Sequence, residues 1–98
     1  MFRERKWELL PGHIADGVKD YIEKGCPTGD FLRNVISNDL KGAFYHADDT
    51  NRRRMFDIVS FFYNYCPTVA WGSPEAYKFW VEVGGLPGYR KYMDEKAA

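Results

Sequence analysis

Asp57-Ile-Val-Ser-Phe-Phe-Tyr-Asn-Tyr-Cys-Pro-Thr-Val-Ala70, followed at once by Trp71-Gly-Ser-Pro-Glu-Ala-Tyr-Lys-Phe-Trp80, holds nearly half of the seventeen Phe, Trp and Tyr residues of this 98-residue chain. Met55, Ile58, Val59, Phe62 and Tyr63 recur at helical spacing, and Phe56 and Phe61 broaden the stripe. The spacing predicts a central helix with Met55, Ile58, Val59 and Phe62 at the heart of the core. Pro67 ends it, because the residue before a proline is pushed out of the α region. Ser73-Pro74-Glu75 then supplies a capping oxygen, a proline at the first position and a carboxylate at the positive helix end, so a further helix is expected to Val83.

Outward from this pair, Pro11 opens a first helix and Gly25 closes it, with Ile14, Val18, Tyr21 and Ile22 as its apolar face. Thr28 offers an N-cap for a second helix that buries Phe31, Leu32, Val35 and Ile36, with Trp80 covering the same core. Asn38 and Asp39 interrupt that helix, and Leu40, Ala43, Phe44 and Ala47 carry on at helical spacing. Ala47-Asp-Asp-Thr-Asn51 caps the central helix, Gly84-Gly85 stops the helix that starts at Pro74, and Leu86-Pro87-Gly88 turns into a short frayed helix from Tyr89 to Glu95. No segment alternates as a strand does. The expected architecture is all-α: a compact single domain, 1–98, of five or six short helices around a central helix, with 1–6 and 94–98 frayed.

Composition bounds the function. Fourteen Lys and Arg balance fourteen Asp and Glu, which argues against sequence-independent nucleic-acid binding, since that grip needs several phosphates neutralised at once. The longest uncharged stretch, Ser60 to Pro74, falls short of the roughly 20 apolar residues of a membrane span. The N-terminus lacks the apolar run of a secretory signal, which points to the cytoplasm. Cys26 and Cys66 read as buried small hydrophobes.

His13, His46, Cys26 and Cys66 lack the close pairing of a zinc site, and neither cysteine lies in a motif that would activate a thiolate. Asp48 and Asp49 read as helix caps. Gly84-Gly85-Leu86-Pro87-Gly88 lacks the strand, lysine and hydroxyl of a phosphate loop. These absences predict a binding protein that needs no cofactor, not an enzyme. Trp7, Trp71, Trp80, Tyr45, Tyr65, Tyr77, Tyr89 and Tyr92 exceed what so small a core buries, so some should form a binding or self-association surface. Exposed rings and arginines suit a nucleotide-like ligand, and Arg52, Arg53, Trp71, Tyr89 and Arg90 are the candidate binding residues. Near-zero net charge favours a homo-oligomer.

The order Trp7-Glu-Leu-Leu-Pro11, Gly25-Cys-Pro-Thr-Gly-Asp-Phe-Leu32, Ser37-Asn-Asp-Leu40, Ala47-Asp-Asp-Thr-Asn51, Phe61-Phe-Tyr-Asn64 and Trp71-Gly-Ser-Pro-Glu75 resembles a set of small proteins encoded by tailed bacteriophages and prophages. The resemblance spans Trp7 to about Gly85 and carries over no catalytic or binding residue. It implies a setting, an accessory phage product in the host bacterial cytoplasm. Such proteins often antagonise antiviral defence, as sponges for nucleotide-derived immune signals or as inhibitors that bind a host defence protein directly.

Overall fold

The computed structural model describes residues 5–97. The fold is all-α, with α1 (Gly12–Lys24), α2 (Asp30–Ile36), α3 (Leu40–His46), α4 (Asp49–Arg53), α5 (Met55–Tyr65), α6 (Pro74–Val83) and α7 (Gly85–Ala97). Two 3-10 turns, Trp7–Leu9 and Thr68–Ala70, complete the ordered elements, and no strand occurs among the described residues.

Local chemistry sets most of the boundaries. Gly25 closes α1 at φ 71° and Gly84 closes α6 at φ 88°, both in the left-handed region where only glycine is unstrained. Asp39, Asp48 and Ser73 cap α3, α4 and α6 by accepting from the N–H groups of Gly42, Asn51 and Ala76. Two expected caps move by a residue. Pro11 is the N-cap of α1 and Gly12 its first residue, and Gly29, not Thr28, caps α2. Thr28 is committed elsewhere: its hydroxyl donates to the Gly29 carbonyl at 3.1 Å and its N–H to the Tyr77 hydroxyl at 3.0 Å.

The core is sealed by Val18, Tyr21 and Ile22 of α1, Ile36 of α2, Ile58, Phe61 and Phe62 of α5, and Trp80 of α6, all essentially inaccessible to water. Their polar tips are satisfied inside. The Tyr21 hydroxyl donates to the Ala70 carbonyl at 2.7 Å, and the Trp80 indole N–H donates to the carbonyls of Tyr21 at 2.9 Å and Ile22 at 3.3 Å. Those bonds tie the end of α1 to α6 and to the turn before it.

Three departures from the sequence reading are non-local in origin. The central helix is broken at Arg54, which leaves helical geometry (φ −106°, ψ 19°) while its guanidinium donates to the Leu9 carbonyl at 2.8 Å and to Asp57 at 3.0 Å. Val59 lies outside the core and Phe61 takes its place, because residues 5–9 run antiparallel along α5 as a strap. Arg5 donates to the Tyr65 carbonyl at 2.9 Å, and the Trp7 ring lies 5.4 Å from Phe61. Finally, Leu86-Pro87-Gly88 does not form a turn, because α7 starts directly at Gly85. Of the segments expected to fray, 1–4 and 98 lie outside the described residues, while 94–97 are helical.

At the junction of α6 and α7, glycine is demanded by close approach. A Cβ on Gly25 would sit 2.5 Å from the Gly85 backbone nitrogen, and one on Gly85 equally close to the Gly25 nitrogen. A Cβ on Gly88 would overlap the Val83 carbonyl. The glycine-rich segment is where α7 crosses the end of α1.

The cysteines differ from each other. Cys66 is buried, but Cys26 is only half-buried, because it follows the Gly25 cap on the connection to α2. Burial pushes the Cys66 thiol from its usual value near 9 up to about 12, with the Arg5 charge opposing the shift. A thiol reagent at pH 8 should therefore modify Cys26 first and Cys66 only on unfolding, and simultaneous labelling of both would contradict the packing. Between about pH 9 and 12 the unfolded chain loses the Cys66 proton while the native chain keeps it, so stability contributed by this group falls as pH rises through that window.

Candidate functional site

The sequence-picked ligand residues are distributed over three parts of the fold. Arg52 and Arg53 lie on α4, Trp71 between the Thr68–Ala70 turn and α6, and Tyr89 and Arg90 on α7. Arg52 is held within its own helix end, donating to Asp49 at 3.3 Å and to the Ala47 carbonyl at 3.2 Å. Arg53 is exposed. Trp71 packs at 5.6 Å from Phe62, and Tyr89 is half-buried against Trp80 at 5.5 Å and Phe79 at 6.2 Å.

Arg90 is exposed on α7 and lies within electrostatic reach of Arg5, which is bonded to the last residue of α5. Arg52 precedes that end of α5 by thirteen residues, a path of up to about 20 Å along α4 and α5. Within one chain the arginines of α4 and of α7 lie on separate helices.

The aromatic excess does reach the surface, at Tyr45 (82% exposed) as expected and otherwise on different residues. The three tryptophans are buried or half-buried, whereas Phe56 is 83% and Tyr63 78% exposed. Val59 lies between them on the same stripe of α5 at 38%, and Leu40 (69%) and Phe44 (39%) form a second stripe on α3. Leu40 and Val59 wall one cavity of about 120 Å³, floored by Val35, Ala43, Met55 and Trp71 with Asp39 at its rim. At roughly 150–250 Å² per aromatic side chain, Phe44, Phe56 and Tyr63 alone leave about 300–500 Å² in water. Leu40 and Val59 bring this to the upper part of the range for the largest apolar patch on a monomer, about 300–600 Å². Helical spacing puts Phe56, Val59 and Tyr63 on one broad apolar stripe with the core residues of α5, so it does not show that these three face outward.

A second concavity, about 490 Å³, lies between α2 and α6 and is walled by Arg33 and Ser37 on one side and Tyr77, Lys78, Val81 and Glu82 on the other. No sequence signal distinguished these residues, since the charged ones read as ordinary solvated helix faces. Tyr77 is pre-set: its ring stacks on buried Tyr21 with centroids 5.4 Å apart and planes 8° apart, and its hydroxyl accepts from Thr28.

Titratable groups elsewhere are structural. Asp48 is held below the usual carboxylate range, first by the Asn51 N–H and then by His13, whose Nε2 lies 2.9 Å from it. Burial raises the Tyr21 hydroxyl, which donates to Ala70 and keeps its proton. Among the described residues no three His, Cys, Asp or Glu side chains converge as a metal site would require. No helix among them is long and apolar enough to cross a membrane. The chain matches no family model, no curated protein and no solved structure.

Proposed function

We propose that the chain is a non-enzymatic binding protein that assembles with copies of itself through the outer face of α3 and α5. In the setting of the phage resemblance, the assembly holds a small nucleotide-derived immune signal in the bacterial cytoplasm and so blunts antiviral defence. The observation that carries the assembly is the aromatic face itself. Its rings alone amount to about half of the roughly 800 Å² that each partner contributes to a standard interface. The balanced charge of fourteen against fourteen adds no net repulsion between copies.

Light scattering at micromolar concentration should return a mass above the 11.4 kDa of one chain. The double substitution Phe56→Ser with Tyr63→Ser should return a folded monomer with wild-type helix content, because both side chains stand in water in the single chain. A wild-type monomer at that concentration would remove the assembly.

A second reading is favoured by the cavity at the centre of the face. Its lining is mostly apolar, with Asn34, Asn38 and Asp39 as the polar residues and no cation, so it suits an apolar side chain of a foreign protein better than a phosphate. On this reading the chain is an inhibitor that covers a host defence protein. Recovery of one stoichiometric bacterial protein on the wild type, lost in the Phe56→Ser/Tyr63→Ser variant, would select it over self-assembly.

A further inference from the structure

The concavity between α2 and α6 has the volume, about 490 Å³, of pockets that hold small ligands, roughly 300–1,000 Å³. Its lining is of two chemical kinds. One is polar, two cations from different helices, Arg33 of α2 and Lys78 of α6, with the Ser37 hydroxyl. Arg33 is engaged only loosely, by exposed Asp30 at 3.4 Å, a contact of the class that contributes little in water and yields readily to a competing anion. A guanidinium fork, an ammonium and a hydroxyl together match a phosphate's oxygens.

The other kind is apolar, Val81 and the Tyr77 ring one turn before it on α6. That ring cannot turn freely, because Tyr21 stacks on it and the Thr28 N–H holds its hydroxyl. A pre-oriented ring spares a planar ligand part of the ordering cost of binding. Glu82 lies one helical turn beyond Lys78 and also faces the groove. Its carboxylate accepts hydrogen bonds from a ribose hydroxyl or a base N–H, and it repels any second phosphate.

We propose that this groove binds a nucleoside monophosphate unit, with the phosphate on Arg33 and Lys78 and the base against Tyr77 and Val81. The site lies within one chain and involves none of the residues of the α3–α5 face. It deepens the signal-holding reading by naming the ligand class and where it sits, and it rests on that reading for its biological sense but not for its geometry.

The test is titration of the full-length protein at low salt, by calorimetry and by amide NMR shifts, with AMP, adenosine, inorganic phosphate and ATP. AMP should saturate at or below about 1 mM with shifts centred on 33–37 and 77–82, and should bind more tightly than the other three. Arg33→Ala and Lys78→Ala, both at exposed positions, should keep the wild-type melting midpoint and weaken AMP by about tenfold or more each.

Failure of AMP to saturate, shifts mapping elsewhere, or wild-type affinity in both variants would overturn the site. Adenosine binding as tightly as AMP would remove the phosphate contacts, and inorganic phosphate binding as tightly would remove the base contacts. The same titration on the Phe56→Ser/Tyr63→Ser variant keeps the two proposals apart. A monomeric wild type that binds AMP in the groove sinks the assembly alone, and an assembled wild type that ignores AMP sinks the groove alone.

Discussion

Gly88→Ala should unfold at a far lower urea concentration than the wild type. The added methyl group would overlap the Val83 carbonyl, which is backbone and cannot rotate away as a side chain can. Relief would require α7 to move off the crossing at which Gly85 and Gly25 hold their backbones together, opening the contact between α7 and α1. Gly25→Ala should be as damaging for two reasons at once, a left-handed φ of 71° and a Cβ 2.5 Å from the Gly85 nitrogen. Either variant should lose at least about 3 kcal/mol, the upper part of the range for single substitutions and a large fraction of the stability of a domain this size. Far-UV circular dichroism with urea titration measures it. A Gly88→Ala protein that unfolds at the wild-type urea midpoint would show that the α6–α7 junction is not packed in this way.

Trp80→Ala should be comparably severe. The indole is fully buried, so truncation leaves a large cavity between α1, α5 and the α6–α7 junction, and loss of such side chains costs about 3–5 kcal/mol. It also strips a donor from the Tyr21 and Ile22 carbonyls deep in the core. Trp80→Phe separates the two effects, because it restores most of the volume but not the N–H, and should recover more than half of the loss. Phe62→Ala belongs to the same class, at about 3–5 kcal/mol. Equal melting midpoints for Trp80→Ala and the wild type would contradict the core assignment.

Where a helix boundary depends on two or three adjacent residues, it was legible in the sequence: Ser73-Pro74 at the start of α6, Gly25 at the end of α1, Pro67 after α5. The inward face of α5 was not. Met55, Phe56, Ile58, Val59, Phe61, Phe62 and Tyr63 are apolar nearly all round the helix, so periodicity alone selects no single face. The choice is made by Trp7, which covers Phe61 from more than fifty residues away and leaves Val59 on the opposite, wet side. Gly88 is not legible for the same kind of reason, since its constraint comes from a neighbouring helix end and not from a turn.

For the site, residue type was a poor guide to place. Arginines and rings chosen for their chemistry turned out to be distributed, with Tyr89 and Trp71 spent on packing. Arg33 and Lys78 sit on helix faces that carry no local mark and share a concavity only because α2 and α6 pack side by side.

The bond from Trp80 to Tyr21 spans fifty-nine positions of the chain. On the ribosome, at about 5–20 residues per second, that interval lasts roughly 3 to 12 seconds. During it the end of α1 exists without the indole that covers it, and until Tyr65 is made residues 5–9 are without the full helix along which they lie. The core contacts made by the indole cannot close before Trp80 is made, so a nascent chain stalled before Trp80 should remain open to proteases and chaperones.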